Sequence, residues 1–245
     1  MVINIAVKRL KTYIKGLDDV IEGGFPQYHN ILLCGKAGTF KSTFAYQFCY
    51  HGALNDEPSM YITLEVSIES LENAMRNFGM NKELENFVKL DMSCLRKIAN
   101  QKWSLENPSY RVDWFPTIKQ SIETMSEELG IKRLAFDSLN ALYELVAVES
   151  KRIRKDFFDF LTFLKDRGLT TLLISELPLT YDSYGKFGIE DFLSDGIILI
   201  ETIVNGMEVE KYLRVVKLRA TNHETSYLPL QVDESGLSVF APKKL

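Results

Sequence analysis

The sequence predicts an α/β fold built on a mainly parallel, twisted sheet, with helices on both faces and an antiparallel extension at the C-terminal end. Short apolar runs rich in leucine and β-branched residues alternate with stretches of helical length. The runs are continuously apolar, which is typical of strands covered on both faces. Strands that alternate with helices are joined by right-handed crossovers, and such crossovers make the strands parallel.

The predicted helices lie between the predicted strands along the chain. One long helix carries Phe157, Phe158, Phe160, Leu161 and Leu164, a stripe at helical spacing that we expect to pack in the core. The segment 93–116 has no period, and we expect a surface excursion whose aromatic residues pack locally. The predicted strands are 31–34, 60–64, 88–92, 133–136, 171–175 and 197–201, with tail strands 207–218 and 237–240. The predicted helices are 42–54, 68–78, 116–129 and 149–167.

Composition places few restrictions on function but excludes some classes. The 245 residues contain no low-complexity linker or repeat, so we expect one domain over 1–245. A net charge of −4 argues against wholesale coating of nucleic acid or acidic membrane. The three cysteines are far apart in sequence, which fits reduced thiols of a cytosolic protein and not a disulfide or zinc framework. We expect a cytoplasmic protein without a membrane span, since Glu201 interrupts the longest apolar stretch, 197–204.

A phosphate-binding loop is predicted where the strand 31–34 passes into a helix. Gly35 and Gly38 come first, and Lys41 and Ser42 follow at the spacing of a phosphate loop. Backbone N–H groups of such a loop converge on phosphate oxygens, and the next helix presents its positive end. Lys41 would reach the β- and γ-phosphates, and Ser42 would bind Mg²⁺. The predicted nucleotide-binding residues are Gly35, Lys36, Ala37, Gly38, Thr39, Phe40, Lys41, Ser42 and Thr43.

One position of the loop departs from the pattern. Phe40 stands where the second glycine is expected. A bulky residue is tolerated there if its φ is negative and its ring points away from the nucleotide. The alternative for the whole motif is a glycine-rich turn in which the lysine and serine occur by chance.

Three side chains at the ends of later strands are predicted to complete the site. Glu65 would face the crevice at the carboxyl end of its strand, where it would orient and deprotonate a water that attacks the γ-phosphate. Asp137 would hold Mg²⁺ together with Ser42. Ser175 would sense the γ-phosphate from a neighbouring strand end. A helix N-cap stays open as the alternative for a single acid, and a backbone-capping hydroxyl for Ser175.

Together with three further stretches, these motifs resemble the KaiC-like branch of the RecA-like ATPases over nearly the whole chain. Residues 14–18 and 22–26 look like that family's entry motif, GLD followed by GGGxP. Residues 188–195 are similar to its GVEEFVSD motif, and residues 216–223 to its LKLRGTSH motif.

The resemblance implies a RecA-like fold that binds ATP or ADP with Mg²⁺ and hydrolyses ATP. It also implies a ring of six identical subunits with ATP at each interface. By position, Lys217 and Arg219 would supply positive charge to the nucleotide of the adjacent subunit, and Thr221 and His223 would line the same interface. Without the resemblance, Lys217 and Arg219 fit the charged face of an ordinary edge strand.

Two other functions remain as alternatives. The first is a recombinase-like DNA-binding protein of repair, suggested by fold analogy and by two basic clusters, 151–155 and the group Lys8, Arg9, Lys11 and Lys15. The second is a nucleotide-gated scaffold with negligible hydrolysis. The family often has two consecutive acids where this chain has Glu65 and Val66, and Phe40 replaces a glycine. We therefore expect slow turnover from a single catalytic carboxylate.

Overall fold

The computed structural model describes residues 7–93, 114–145 and 152–240. Its helices are α1 (Leu17–Val20), α2 (Lys41–Leu54), α3 (Ile68–Arg76), α4 (Trp114–Leu129), α5 (Leu139–Leu145), α6 (Ile153–Asp166) and α7 (Glu190–Leu193). Its strands are β1 (Arg9–Leu10), β2 (Phe25–Pro26), β3 (Asn30–Gly35), β4 (Ser59–Thr63), β5 (Phe87–Asp91), β6 (Arg133–Asp137), β7 (Thr170–Glu176), β8 (Gly196–Asn205), β9 (Glu208–Leu218), β10 (Leu228–Asp233) and β11 (Gly236–Val239).

The central sheet has nine strands in the order β11-β10-β9-β8-β3-β7-β6-β4-β5. The six strands from β8 to β5 in that order are parallel, whereas β9, β10 and β11 pair antiparallel at the other side. Strands β1 and β2 form a separate antiparallel ribbon. The predicted fold class is thereby confirmed, including the antiparallel extension.

Two apolar layers cover the two faces of the sheet. Helix α2 lies in one of them and contributes Phe44 and Phe48, both fully buried. Helices α4 and α6 lie in the other, where Phe157 and Phe160 pack as predicted. Phe158 was also expected in the core, but it points to the outer face of α6 and is 54% exposed. Helix α2 is apolar on nearly every side because it packs between the sheet and the N-terminal segment. It therefore holds the loop that precedes it in one position.

The register of the central strands brings their carboxyl ends level. In β3, Gly35 pairs with Glu176 of β7 and with Ile200 of β8. Thr63 of β4 pairs with Asp137 of β6 in the same way. Since parallel strands end at the same edge of a sheet, the residues after β3, β4, β6 and β7 converge on one crevice.

The structure corrects several element boundaries. Trp114 begins α4 and is buried, so 114–116 belong to a helix and not to the expected excursion. Residues 94–113, with the other aromatics of that excursion, lie outside the described residues, as do 149–151 of the predicted helix 149–167. Strand β8 continues to Asn205, four residues beyond the prediction, and turns directly into β9. The short helices α1, α5 and α7 and the strands β1, β2 and β10 were not predicted.

The N-terminal segment docks closely on the C-terminal strand. Gly16 has φ 81°, and a Cβ there would lie 2.1 Å from the carbonyl oxygen of Val239. Only glycine fits that approach, which fastens the start of α1 against β11. Of the helices in the described residues, none is long and apolar enough to cross a membrane.

Candidate functional site

The phosphate loop connects the end of β3 to the start of α2. The hydroxyl of Thr39 and the ammonium of Lys41 both donate to the carbonyl oxygen of Lys36, at 2.8 and 2.7 Å. These bonds bend the loop around a cavity of about 330 Å³. The cavity is lined by Ala37, Gly38, Thr39, Phe40, Lys41, Ser42, Thr43, Glu65, Asp137, Ser138, Ile174 and Glu176.

Two of the predicted loop residues do not line the cavity. Lys36 is exposed and contributes its carbonyl to the loop, as described. Gly35 is buried against β8, where a Cβ would lie 2.4 Å from the carbonyl oxygen of Ile200 and 2.7 Å from Oγ1 of Thr39. Gly35 is thus required by packing beneath the loop, whereas the residues from Ala37 onward face the cavity.

Phe40 corrects the expectation of a negative φ. Its φ is 65° and its ψ 26°, in the left-handed region that glycine would adopt without strain. The ring meets the ring of Phe78 edge-on, with centroids 6.4 Å apart. The ammonium of Lys211 on β9 lies 5.1 Å from the centroid of the Phe40 ring. The Phe40 ring is thus held by Phe78 and Lys211, although the backbone at Phe40 is strained.

Asp137, at the end of β6, is the most buried acid of the cavity, with 8% of its surface exposed. Its Oδ2 accepts hydrogen bonds from Ser42 Oγ at 2.7 Å and from Tyr61 OH at 2.6 Å. Burial raises the pKa of Asp137, and these two hydrogen bonds oppose the rise. Ser42 and Asp137 therefore lie side by side, as a shared metal site requires.

The oxygen atoms at this point fit magnesium. Mg²⁺ is usually bound by one or two protein oxygens together with substrate phosphates and waters. Ser42 and Asp137 offer that number of donors beside the phosphate loop. Across the part of the chain that the structure describes, no group of three or more histidine, cysteine, aspartate or glutamate side chains could hold a metal ion. A site for a fully protein-bound metal such as zinc is therefore not found among those residues.

Glu65 lies across the cavity from the loop, after the end of β4. Its Oε1 accepts a hydrogen bond from Ser138 Oγ at 2.6 Å. The same hydroxyl accepts the amide N–H of Ala141 at 3.3 Å, at the start of α5. The turn that carries Glu65 is held by Thr63, whose hydroxyl donates to the carbonyl of Val66 at 2.8 Å. The carboxylate therefore has a defined place opposite Lys41.

Lys41 is largely buried, and burial lowers the pKa of its ammonium. The nearby carboxylates of Glu176 and Asp137 oppose that shift, with Glu176 the stronger of the two. A largely buried ammonium binds an anion more strongly than an exposed one does, and a phosphate oxygen would replace its hydrogen bond to the carbonyl of Lys36.

Ser175 is not part of the cavity, contrary to the prediction. It is 1% exposed, and its neighbours Ile174 and Glu176 are the β7 residues that line the cavity. Because successive side chains of a strand point to opposite faces, Ser175 lies on the other face of the sheet. Glu176 takes its place, and its backbone is held by Asn140, whose amide oxygen accepts the Glu176 N–H at 2.8 Å.

The phosphate loop lies at the carboxyl ends of the parallel strands. The four predicted interface residues lie at the other end of the sheet, where these strands begin. The amide of Arg219 donates to Asp195 O, and the amide of Asp195 donates to Asn30 O at the start of β3. Gly35 lies five positions after Asn30 in β3, which is about 17 Å at the rise of a parallel strand. Arg219 therefore does not reach the phosphate loop of its own chain.

The side chains of these residues have partners at that edge. Lys217 Nζ donates to the carbonyls of Asp191 and Ser194, at 2.9 and 2.6 Å. Arg219 Nη1 lies 3.1 Å from Oδ1 of Asp195, and half of the Arg219 side chain is exposed. Further on, Thr221 Oγ1 accepts from Arg9 at 2.8 Å, and His223 Nδ1 lies 3.0 Å from Glu224 O.

Four residues with a part in these two regions were not assigned that part from the sequence. Tyr61, Ser138 and Glu176 belong to the cavity, and Arg9 contacts the residues that follow β9. Tyr61, four residues before Glu65, interrupts an otherwise apolar strand, which could have marked it as a polar group directed at the site. Ser138 and Glu176 each directly follow a residue that was singled out. Arg9 stands out in the sequence only as part of a basic cluster, and that pattern does not indicate its contacts with residues 220–221.

The basic cluster predicted at 151–155 is only partly described, since residue 151 lies outside the described residues. Within it, Lys155 pairs with Asp159 one turn later, Nζ to Oδ2 at 2.6 Å. This contact is that of an ordinary solvated helix face.

Comparisons with known proteins agree with this fold and site. A model of the KaiC family of ATPases matches residues 10–244. The circadian clock oscillator protein KaiC of Prochlorococcus marinus strain SARG is 30% identical over 243 residues, covering 96% of this chain and 46% of that protein. The KaiC protein of Synechococcus elongatus is 26% identical, with 96% and 44% covered. The chain thus spans about half the length of the curated relatives it matches.

Among solved structures, a KaiC-like protein from the hyperthermophilic archaeon Pyrococcus horikoshii OT3 superposes with a TM-score of 0.78 at 28% identity. The match covers 96% of this chain and 100% of that one. The sequence motifs, the sheet order and the family match lead to one assignment: this chain belongs to the KaiC family of ATPases, with the phosphate loop of an ATP-binding protein.

Proposed function

We propose that the chain is a single-domain, cytoplasmic, Mg²⁺-dependent ATPase whose sites are shared between adjacent copies in a homo-hexameric ring. The proposal rests on one observation: the predicted site residues lie in two groups, at opposite ends of the central strands. The loop, Glu65 and Asp137 converge on one cavity at the carboxyl ends of the central strands. Lys217 and Arg219 lie at the opposite end, where β3 begins, and β3 is about 17 Å long from Asn30 to Gly35. Only a second copy brings the two halves together.

Within one chain, the cavity residues bind and orient the nucleotide. Backbone N–H groups of the loop and the N-terminus of α2 face the phosphates, and Lys41 supplies charge to the β- and γ-phosphate oxygens. Ser42 and Asp137 would hold Mg²⁺, which neutralises charge that develops on the phosphate oxygens when it is bound. Tyr61 donates to the Asp137 carboxylate and keeps it aimed at Ser42.

Glu65 would act as the general base. It lies across the cavity from Lys41, so its carboxylate would orient a water for in-line attack and accept the proton of that water. Ser138 holds the carboxylate through the hydrogen bond to Oε1. Val66 is 44% exposed where relatives often have a second acid, so a single carboxylate carries this step, and we expect turnover to be slow.

The adjacent copy would supply Lys217 and Arg219. A guanidinium brought to the γ-phosphate offsets negative charge in the transition state, an effect of about 10³–10⁵ in rate for an arginine finger. Thr221 and His223 would line the same interface. A contact between one copy's phosphate loop and the end of another copy's β9 is heterologous, and heterologous contacts form a ring when the rotation between neighbouring copies closes.

The test is steady-state phosphate release from ATP and Mg²⁺ over a wide range of protein concentration. Specific activity should rise with concentration and then reach a plateau at which mass measurements show six copies. Lys41→Ala is the blank, and Lys82→Ala, at an exposed surface lysine, is the matched control that should behave as the wild type. Activity that is independent of concentration in a monomer of known mass would refute sites shared between copies.

A mixing experiment tests the division of the site directly. Arg219→Ala and Lys41→Ala should each be inactive alone. In a ring mixed at random in equal amounts, about one interface in four joins the intact loop of an Arg219→Ala copy to the intact Arg219 of a Lys41→Ala copy. Activity should therefore return to about a quarter of the wild-type value per chain. Mixed rings that stay inactive would contradict the proposal.

A further inference from the structure

Arg9, in the short strand β1, makes a group of hydrogen bonds that no motif of the chain explains. Its side chain is 13% exposed. The guanidinium reaches two separate stretches, the turn 21–24 after α1 and the residues 220–221 that follow β9. The two stretches are about 200 positions apart in sequence. Arg9 therefore joins the N-terminal ribbon to the loop that follows β9 in the C-terminal extension.

The contacts with 220–221 fix both backbone and side chain there. Arg9 Nη2 donates to the carbonyl oxygen of Ala220 at 3.0 Å, and Nη1 donates to Thr221 Oγ1 at 2.8 Å. Ala220 has φ 55°, a left-handed conformation that is unfavourable for alanine. A charged hydrogen bond to the carbonyl of that residue helps to hold the chain in this conformation.

The remaining contacts anchor Arg9 on a rigid base. Nη1 also lies 3.1 Å from Gly24 O and 3.4 Å from Ile21 O, and Nη2 pairs with Oε2 of Glu22 at 2.5 Å. The turn itself is closed by the amide of Gly23, which donates to Asp18 O at 2.7 Å. The planar guanidinium fork serves all these acceptors at once, which a lysine ammonium cannot do.

We infer that Arg9 is a positioning residue for the ATPase reaction, acting on the copy next to its own. It holds 220–221 in place, so that Arg219, one residue earlier, is presented at the edge of the subunit. This inference rests on the proposed shared site. Arg9 touches no nucleotide, and its effect passes through the backbone that carries Arg219. A displacement of about 1 Å at a catalytic group lowers rates by as much as 10²-fold, so a loosened 217–223 segment would reduce turnover severely.

The test uses Arg9→Ala and the milder Arg9→Lys, with Arg154→Ala on the exposed face of α6 as the matched control. Arg9→Ala should lower kcat by about 10²-fold, while the dissociation constant for ADP stays that of the wild type, because its own phosphate loop lies at the other edge. Mixed in equal amounts with Lys41→Ala, it should recover to about a quarter of wild-type activity, as Arg219→Ala does.

Hydrogen exchange gives a readout that does not depend on hydrolysis. In Arg9→Ala, amides of 217–223 should exchange faster than in the wild type, while those of the phosphate loop 35–43 should not change. Arg9→Lys provides the same comparison if Arg9→Ala does not fold.

Each result has one meaning for the inference. Wild-type kcat in Arg9→Ala, or unchanged exchange over 217–223, overturns it. If the Arg219→Ala mixture recovers and the Arg9→Ala mixture does not, Arg9 serves only its own chain and the inference is wrong while the shared site stands. If neither mixture recovers, the proposed function itself fails. Recovery of both mixtures with faster exchange confined to 217–223 supports both.

Discussion

The strained backbone of Phe40 allows a quantitative test of how the phosphate loop is stabilised. With φ at 65°, its Cβ crowds the following carbonyl oxygen, which costs roughly 1–2 kcal/mol relative to the right-handed region. Glycine has no Cβ and avoids that cost. The ring provides an opposing stabilisation through Phe78 and Lys211.

Two substitutions separate the strain from the ring. Phe40→Ala keeps the strained Cβ and removes a half-buried ring together with its contacts to Phe78 and Lys211, a loss of about 2–3 kcal/mol. Phe40→Gly removes the same contacts and the strain as well. We therefore expect Phe40→Gly to be about 1 kcal/mol more stable than Phe40→Ala. At an ordinary position the order is the reverse, since glycine is about 0.5–1 kcal/mol worse than alanine.

Urea unfolding without nucleotide measures the free energy of unfolding of the wild type, Phe40→Ala and Phe40→Gly. These values give both the loss caused by removing the ring and the difference between alanine and glycine. Lys211→Gln is the control for the ammonium contact alone and should lose about 0.5–1 kcal/mol. The reasoning is refuted if Phe40→Ala is as stable as Phe40→Gly or more stable, because the left-handed backbone then imposes no cost on a side chain at this position.

Three further predictions concern charged side chains. Glu65→Gln should bind ADP as the wild type does and lose about 10²–10⁴ in single-turnover hydrolysis, and an unchanged rate would remove Glu65 as the base. Burial raises the pKa of Asp137, so the folded state holds that proton to a higher pH than the unfolded chain and loses stability as pH rises above about 4. Asp137→Asn should thus resist urea better than the wild type at pH 7 but not below about pH 4. It should also lose Mg²⁺-dependent nucleotide binding. Urea resistance equal to that of the wild type at both pH values would contradict the prediction. Arg133→Met should lose about 3–5 kcal/mol in urea unfolding, because the fully buried guanidinium that it removes pairs with Glu57 and two backbone carbonyls; a loss under about 1 kcal/mol would count against a structural role for that pair.

Elements with a strong local signal were predicted from sequence with small errors. The central strands are continuously apolar and the longer helices have clear periodicity, so each was placed to within a few residues over the described part of the chain. Short elements such as α1, α7 and β1 were missed because two to four residues carry no period. Strand β10 contains Pro229 and alternates in burial, which weakens the apolar signal of a strand.

Site residues were predictable where a spacing dictates the chemistry. Glycines, a lysine and a serine at fixed intervals between a strand and a helix already indicate a phosphate loop, and the acids at strand ends follow from the parallel sheet. Ser175 was misplaced by one residue, and one residue is enough to reverse the face of a strand. Tyr61 escaped because its role depends on the neighbouring strand that carries Asp137, a pairing that sequence order does not reveal.

The sequence by itself determined the fold class, the phosphate loop and the two acids opposite it, because strand and helix periods and loop spacing are local properties of the chain. Only the tertiary structure decided which edge of the sheet each group occupies and what holds it there. Arg219 lies far from the loop of its own chain, and Arg9 meets residues 220–221 across about 200 positions of sequence. The reason is physical: strand register and long-range side-chain contacts arise from pairing between distant segments, and no local pattern records them.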